Sequence, residues 1–277
     1  MITIQKTVKS MRQGTRLILG KYGVLKDAEP LPIEWTKATP NGDFIASKTV
    51  DFLCFDAREG HIRENGTTYM DSGNPLYHLS NIHTFLNSED DAWYYPMHDG
   101  DNAPISDYTD VEGRGAAYAD HYGFLRHFED YELAAILPQT VCVDGRLEVT
   151  SRLRLPLSTE IFGENKFNLF KKKAVRAHPS GDLIANKWRQ TGINSAEQYM
   201  PYFLASSHSI GAVGIVDRTG YITHSTAARG CGIRPVCRIR LDAKVEQVAD
   251  GVYELLPTGM ARFGVTNEEI KEFLGLV

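Results

Sequence analysis

The most constraining part of this chain is its last quarter. Tyr202-Phe203-Leu204-Ala205-Ser206 and Ala212-Val213-Gly214-Ile215-Val216-Asp217 are two short, apolar-rich runs. A turn at Asp217-Arg218-Thr219-Gly220 and a polar stretch follow, and the segment closes on Gly232-Ile233-Arg234-Pro235-Val236. Runs this short between Gly-containing turns are strand signals, and strands this closely spaced pair most readily as antiparallel neighbours.

The same reading extends to the N-terminal half. Leu17–Gly20 and Ile33–Trp35 are strand candidates, and Asn41-Gly42 signals a hairpin between Ile33–Ala38 and Phe44–Asp56. Phe52-Leu53-Cys54-Phe55 is apolar throughout, as a strand covered on both faces would be. Ser80 as N-cap, with Ile82, Phe85 and Leu86 on one face, predicts a helix over 80–87. Leu133, Ile136 and Leu137, stopped by Pro138, predict a second over 124–137. Leu147–Leu155 alternates as a strand, and Lys171-Lys172-Lys173 reads as a solvated turn. Between Trp93 and Tyr122 neither period holds, which predicts a long loop. Thr266 and Glu269 form a capping box before the helical stripe Ile270, Phe273, Leu274 and Val277. The expected architecture is α+β: a mostly antiparallel, twisted sheet flanked by the helices at 80–87 and 124–137, with long irregular loops and a C-terminal helix. Residues 1–245 are expected to form one domain, and 246–277 an extension that carries the last helix.

Composition narrows the function classes. A net charge of −5 gives no general attraction to nucleic acid or anionic membranes, so neither is an expected partner. No run approaches the ~20 apolar residues needed to span a bilayer. Met1–Arg16 carries Lys6, Lys9, Arg12 and Arg16 without the apolar centre of a signal peptide, so synthesis in the cytoplasm is expected. The four cysteines are too few and too scattered for a disulfide scaffold, and Cys54 and Cys142, both in apolar runs, are expected to be buried thiols. No histidine has a zinc-motif partner at helical spacing, so no metal centre is expected.

The order of strands, turn and closing Gly-Ile-Arg-Pro run resembles the end of a C-type-lectin-like domain, in the branch shared by formylglycine-generating enzymes and phage variable proteins. Further motifs resemble a family of uncharacterised domains from Gram-positive bacteria and their phages. They are Gly14-Thr15 with Leu17–Gly20, Pro32-Ile33-Glu34-Trp35, Ser80-Asn81-Ile82 with Phe85-Leu86-Asn87, and Leu155-Pro156-Leu157 leading to Glu160-Ile161. The resemblance implies a fixed core that displays polar loops, and hence recognition: a phage-borne or surface-targeting adhesin for a protein or glycan, destined for a virion. In phage variable proteins the ligand contacts lie just before the closing strand. Carried over by position, they are Ser206, Ser207, His208 and Ser209 with Tyr221, Thr223, His224 and Ser225, a mixture suited to adaptable contacts.

Two alternatives accompany this expectation. A formylglycine-generating oxidoreductase would need Cys231 and Cys237 to meet on copper, whereas a strand through Gly232–Ile239 sets them roughly 20 Å apart. A structural virion or assembly subunit would use 266–277 as a homo-oligomer contact. Asp99, Asp101, Asn102, Asp107 and Asp110 offer oxygen ligands for a structural calcium, without the full calcium-loop pattern; no other cofactor is expected. Arg234 is expected to pair with a buried carboxylate, Asp217 or Glu160, and Trp35 and Trp188 to belong to the core.

Overall fold

The computed structural model of the chain describes residues 6–57, 73–91, 93, 94, 118, 121–144, 147–162, 175–191, 193, 195–209 and 212–257. Strands dominate these residues and the helices are short, an α+β arrangement. The first strands are β1 (Lys6–Thr7), β2 (Arg16–Tyr22), β3 (Leu31–Lys37), β4 (Asp43–Ala46) and β5 (Asp51–Cys54). β2 and β3 alternate, turning Leu17, Leu19, Ile33 and Trp35 inward. Trp35 is fully buried, as expected, and its indole N–H donates to the Leu19 carbonyl at 2.8 Å. The pairing of β2 with β3 shifts between Ile18 and Lys21. There Gly20 adopts φ +74, and a Cβ on it would stand 2.7 Å from the Phe128 ring, so this bulge needs glycine. The Asn41-Gly42 turn folds β3 onto β4 with Lys37 opposite Phe44.

Helix α1 (Asn81–Asn87) begins where the sequence predicts. The Ser80 hydroxyl accepts the His83 N–H, and Ile82, Phe85 and Leu86 are fully buried. The second predicted helix is broken. A 3-10 turn at Phe124–His127 precedes α2 (Asp130–Ala135), and β6 (Ile136–Leu137) follows as a strand. Phe128 is extended, with φ −119 and ψ 141, and its ring packs on Gly20. Glu129 and Glu132 then form a capping box that restarts the helix. Glu132 Oε1 also accepts the Gly20 N–H at 2.9 Å, which ties α2 to the bulge in β2.

Next come the hairpin β7 (Gln139–Val143) and β8 (Leu147–Ser151), then β9 (Leu153–Arg154), α3 (Ser158–Ile161) and α4 (Gly181–Thr191). The C-terminal part holds β10 (Tyr202–Ser209), β11 (Ala212–Val216), β12 (Ile222–Thr226), β13 (Gly230–Ile233), β14 (Val236–Ile239), β15 (Lys244–Ala249) and β16 (Val252–Leu255). One nine-stranded sheet runs β1-β15-β16-β2-β3-β4-β14-β6, with β9 also on β14; a five-stranded sheet runs β12-β11-β10-β13-β5. Among the strand pairs of the described residues, only β10–β13 and β16–β2 are parallel. The division drawn between residues 245 and 246 falls inside β15, and β16 joins the sheet through β2.

The two sheets share a crossing. β4 and β14 pair in the large sheet while β5 and β13 pair in the small one, so the chain steps between sheets at 47–50 and again at Arg234-Pro235. The expected single strand over 232–239 is therefore two, since Pro235 has no N–H with which to continue a ladder. Ala46 N–H donates to the Pro235 carbonyl at 2.9 Å, and Val50 N–H to that of Ile233 at 2.8 Å. Arg234 lies buried in this crossing, but neither predicted carboxylate is its partner. Glu160 binds Arg154, and Asp217 organises its own turn. Arg234 instead donates to the carbonyls of Ala46 and Val175, at 3.0 and 3.3 Å, with its guanidinium 5.3 Å from the Tyr202 ring.

A large core fills one side of the small sheet, with Phe203, Ala205 and Val213 pointing into it. A smaller core, which includes Ile45, Ile161, Tyr202, Leu204 and Val216, covers the other side. Cys54 is buried as expected, with Sγ 2.7 Å from the Tyr118 hydroxyl. Cys142 is exposed, a correction: it stands opposite Glu148 in the β7–β8 hairpin. No helix among the described residues is long and apolar enough to cross a membrane. The proposed calcium loop at 98–112, the lysines at 171–173 and the helix at 266–277 lie outside the described residues, as does the side chain of Trp188 on α4.

Candidate binding surface and the cavity beside it

The predicted contact residues occupy the outer end of the small sheet. Among the described residues β12 is an edge strand, paired to β11 from Ala212 opposite Thr226 to Val216 opposite Ile222. Strand alternation splits the patch. Ile222 and His224 share a face with Gly214, whereas Thr223 and Ser225 share the opposite face with Ile215 and Val213. His208 on β10 stacks on His224, with ring centroids 4.6 Å apart and planes within 7°. Tyr221 is 72% exposed and Ile222 is 45% exposed. Asp217 projects Tyr221 outward, because its Oδ1 accepts the N–H groups of Thr219 and Tyr221 at 2.8 and 3.0 Å and the Thr219 hydroxyl at 2.6 Å. Partial burial opposes the Asp217 charge, but these bonds outweigh it and hold the carboxyl below its ordinary value. Ser207 points elsewhere: its N–H and hydroxyl both bond Asp144, at 3.0 and 2.7 Å. Ser209 is on β10, with its side chain outside the described atoms.

Cys231 and Cys237 lie in different sheets, opposite Leu53 and Phe44. Burial pushes the Cys231 thiol up to about 12, and burial followed by the Asp43 charge pushes Cys237 well above its ordinary value. No cluster of three His, Cys, Asp or Glu that could hold a metal occurs among the described residues.

Two constellations escaped sequence reasoning. In the first, the Tyr22 hydroxyl donates to Asp51 Oδ2, and His121 Nδ1 lies 3.1 Å from the same oxygen and 3.3 Å from the hydroxyl. All three are buried, and burial, then the Asp51 charge, pushes the tyrosine well above its ordinary value. Tyr22 therefore remains a donor, and the trio is a buried hydrogen-bonded joint between β2 and β5.

The second is a cavity of about 590 Å³ between β7, α3 and β10. Arg154 grips Glu160 with two bonds of 2.7 and 2.6 Å, and Arg238 Nε bonds Asp43 at 2.8 Å. Gln139, 4% exposed, lines this space with neither amide atom bonded, and Arg154 Nε also lacks a partner. Ser206 lines the cavity too, and Asp144 joins its lining to Ser207. The one local signal was Arg154 itself: a charge between Leu153 and Leu155 must find a partner.

No family model, curated protein or solved structure matches the chain. A functional reading therefore draws on these residues and on the motif resemblance alone.

Proposed function

We propose that this chain is a non-enzymatic recognition protein with a C-type-lectin-like core, phage-borne and directed at a protein or glycan on a Gram-positive cell surface. Its contact surface is the outer end of the small sheet, centred on Tyr221, His224 and His208. The observation that carries the reading is β12: an exposed edge strand without charge or proline, the features that ordinarily guard such an edge. Beside it stand a 72% exposed tyrosine and a stacked histidine pair. Aromatic and imidazole groups give contact area at small entropic cost, and the neighbouring Ser and Thr hydroxyls supply adaptable hydrogen bonds. The alternative copper oxidoreductase receives no support from two buried cysteines whose strands belong to separate sheets.

The test is a pull-down by intact Gram-positive cells and wall extracts, comparing the native protein with a Tyr221→Ala, His208→Ala, His224→Ala variant. Saturable binding that drops at least about tenfold in the variant is the expected result. Absence of binding by folded native protein, or equal binding by the variant, overturns the reading.

A further inference from the structure

We infer that the cavity between β7, α3 and β10 is a second binding site, for a neutral, hydroxyl-rich small molecule of about the size of one sugar ring. Its volume, about 590 Å³, falls within the ~300–1,000 Å³ range of small-molecule sites. The argument begins with what is left unbonded. Gln139 Nε2, Gln139 Oε1 and Arg154 Nε are buried without partners, on side chains that are 4% and 2% exposed and line the cavity. Buried polar groups are nearly always satisfied, so these three, each with almost no accessible surface, mark a wall where a turn of the Gln139 amide into the cavity would let a ligand complete the set.

The charges select the class. The guanidinium of Arg154 is held by Glu160 and that of Arg238 by Asp43, while Asp144 is engaged by Ser207. Carboxylates outnumber guanidinium groups in the lining, and each carboxylate already has a bonded partner. An anion would meet net negative charge, and a cation would have to displace an existing pair. What remains is one acceptor and two kinds of donor, all needing neutral partners. Hydroxyls on adjacent carbons both donate and accept, and they match this set. Ser158, Thr159 and Ser206 add further hydroxyls to the lining, and Val141, Leu157 and Ala205 offer small apolar surfaces to a sugar's C–H face. No aromatic ring lines the cavity among the described residues, so it provides no stacking platform for a nucleobase.

This site is separate from the Tyr221–His224 surface, and the two proposals fail independently. Cys142 gives a built-in reporter. It lines the cavity and is exposed, whereas Cys54, Cys231 and Cys237 are buried. The full chain is titrated with glucose, galactose, N-acetylglucosamine and their methyl glycosides, and with inorganic phosphate and sulfate as anionic probes. Binding is read by calorimetry and by the rate at which a maleimide labels Cys142. At least one neutral sugar is expected to bind saturably and slow labelling, while phosphate and sulfate do neither. Methyl glycosides that bind as well as the free sugar indicate the end of a glycan; loss on methylation indicates a free sugar. Gln139→Leu preserves volume and removes only unbonded polar atoms. It is expected to leave the melting temperature unchanged or raised while weakening sugar binding at least about tenfold. Failure of every sugar to bind or protect Cys142, preference for phosphate or sulfate, or unchanged binding by Gln139→Leu overturns the inference.

Discussion

The two ends of the five-stranded sheet have opposite characters. At β5 every residue is buried, and Asp51 is closed into a bonded set with Tyr22 and His121. At β12 four of five residues are exposed, and among the described residues the strand ladders on one side only. β13, beside β5, is clamped at the crossing by Arg234, whereas β11, beside β12, carries Gly214 opposite His224. One sheet thus grades from a buried terminal strand to an exposed one. Substitutions at the inner end should register in stability, and those at the outer end in binding.

The largest effect is expected at Asp51. Asp51→Ala removes the acceptor shared by Tyr22 and His121, which are both buried, and leaves those groups without it. Breaking a buried hydrogen-bonded carboxylate set by removing one partner costs about 3–5 kcal/mol, the loss expected in urea denaturation. A loss below about 1 kcal/mol would show that the inner edge is not the stabilising one.

Acid should act on the same covered side. His83 packs on Tyr77 and His127 on Tyr22, with ring centroids 5.0 and 4.8 Å apart. Burial is the main cause that holds both imidazoles neutral, with pKa values of about 4 against the ordinary 6.5. Between these values the unfolded chain binds protons that the folded chain does not. Stability therefore rises with pH through this window, is fully present above about 6.5, and is lost as pH falls towards 4. Each ring contributes roughly 3 kcal/mol at most. His127→Gln is expected to flatten that slope in urea midpoints measured from pH 7 to 4, and an unchanged slope would exclude His127 as a cause.

Two glycines then test the gradient inside the sheet. A Cβ at Gly232, on β13, would stand 2.5 Å from the Pro201 carbonyl oxygen, which is backbone. A Cβ at Gly214, on β11, would stand 2.6 Å from Ser206 Oγ, a hydroxyl that can rotate away. Gly232→Ala is expected to cost about 1–3 kcal/mol and Gly214→Ala less than about 0.5 kcal/mol, by thermal or urea melts. Equal costs would mean that the outer end is as tightly packed as the inner.

The parts of this gradient that could be read from sequence were those fixed by local rules. Ser80 capping α1, the Asn41-Gly42 hairpin and the all-apolar run at 52–55 each depend on residues within one turn or one strand. The helix expected over 124–137 went wrong because Leu133, Ile136 and Leu137 satisfy a helical period, while Phe128 and the Glu129–Glu132 cap impose a break that only the contact with Gly20 explains. β12 was read as polar loop because exposed Thr, His and Ser carry no alternating apolar signal. The contact residues were named correctly as neighbours in space only in part: His208 meets His224, but Thr223 faces the opposite side and Ser207 is taken by Asp144. The cavity draws on Gln139, Arg154, Glu160 and Ser206, from separate elements, and no spacing rule connects them.

The smallest effect is expected at the outer edge, and its smallness is the informative part. Replacing Tyr221, His208 and His224 together with alanine removes a side chain that is mostly in solvent and a ring stack at the sheet's open end. The Asp217 turn that sets the strand's entry keeps its bonds, because they run to the backbone of Tyr221 and to Thr219. Exposed substitutions of this kind usually change stability by no more than about 0.5 kcal/mol. A melting curve that overlays the native one would mean that any binding lost by the variant is lost from the contact surface itself. A drop of about 2 kcal/mol would instead show that the histidine stack holds β10 to β12, and would make the outer edge a structural end of the sheet in place of the proposed binding one.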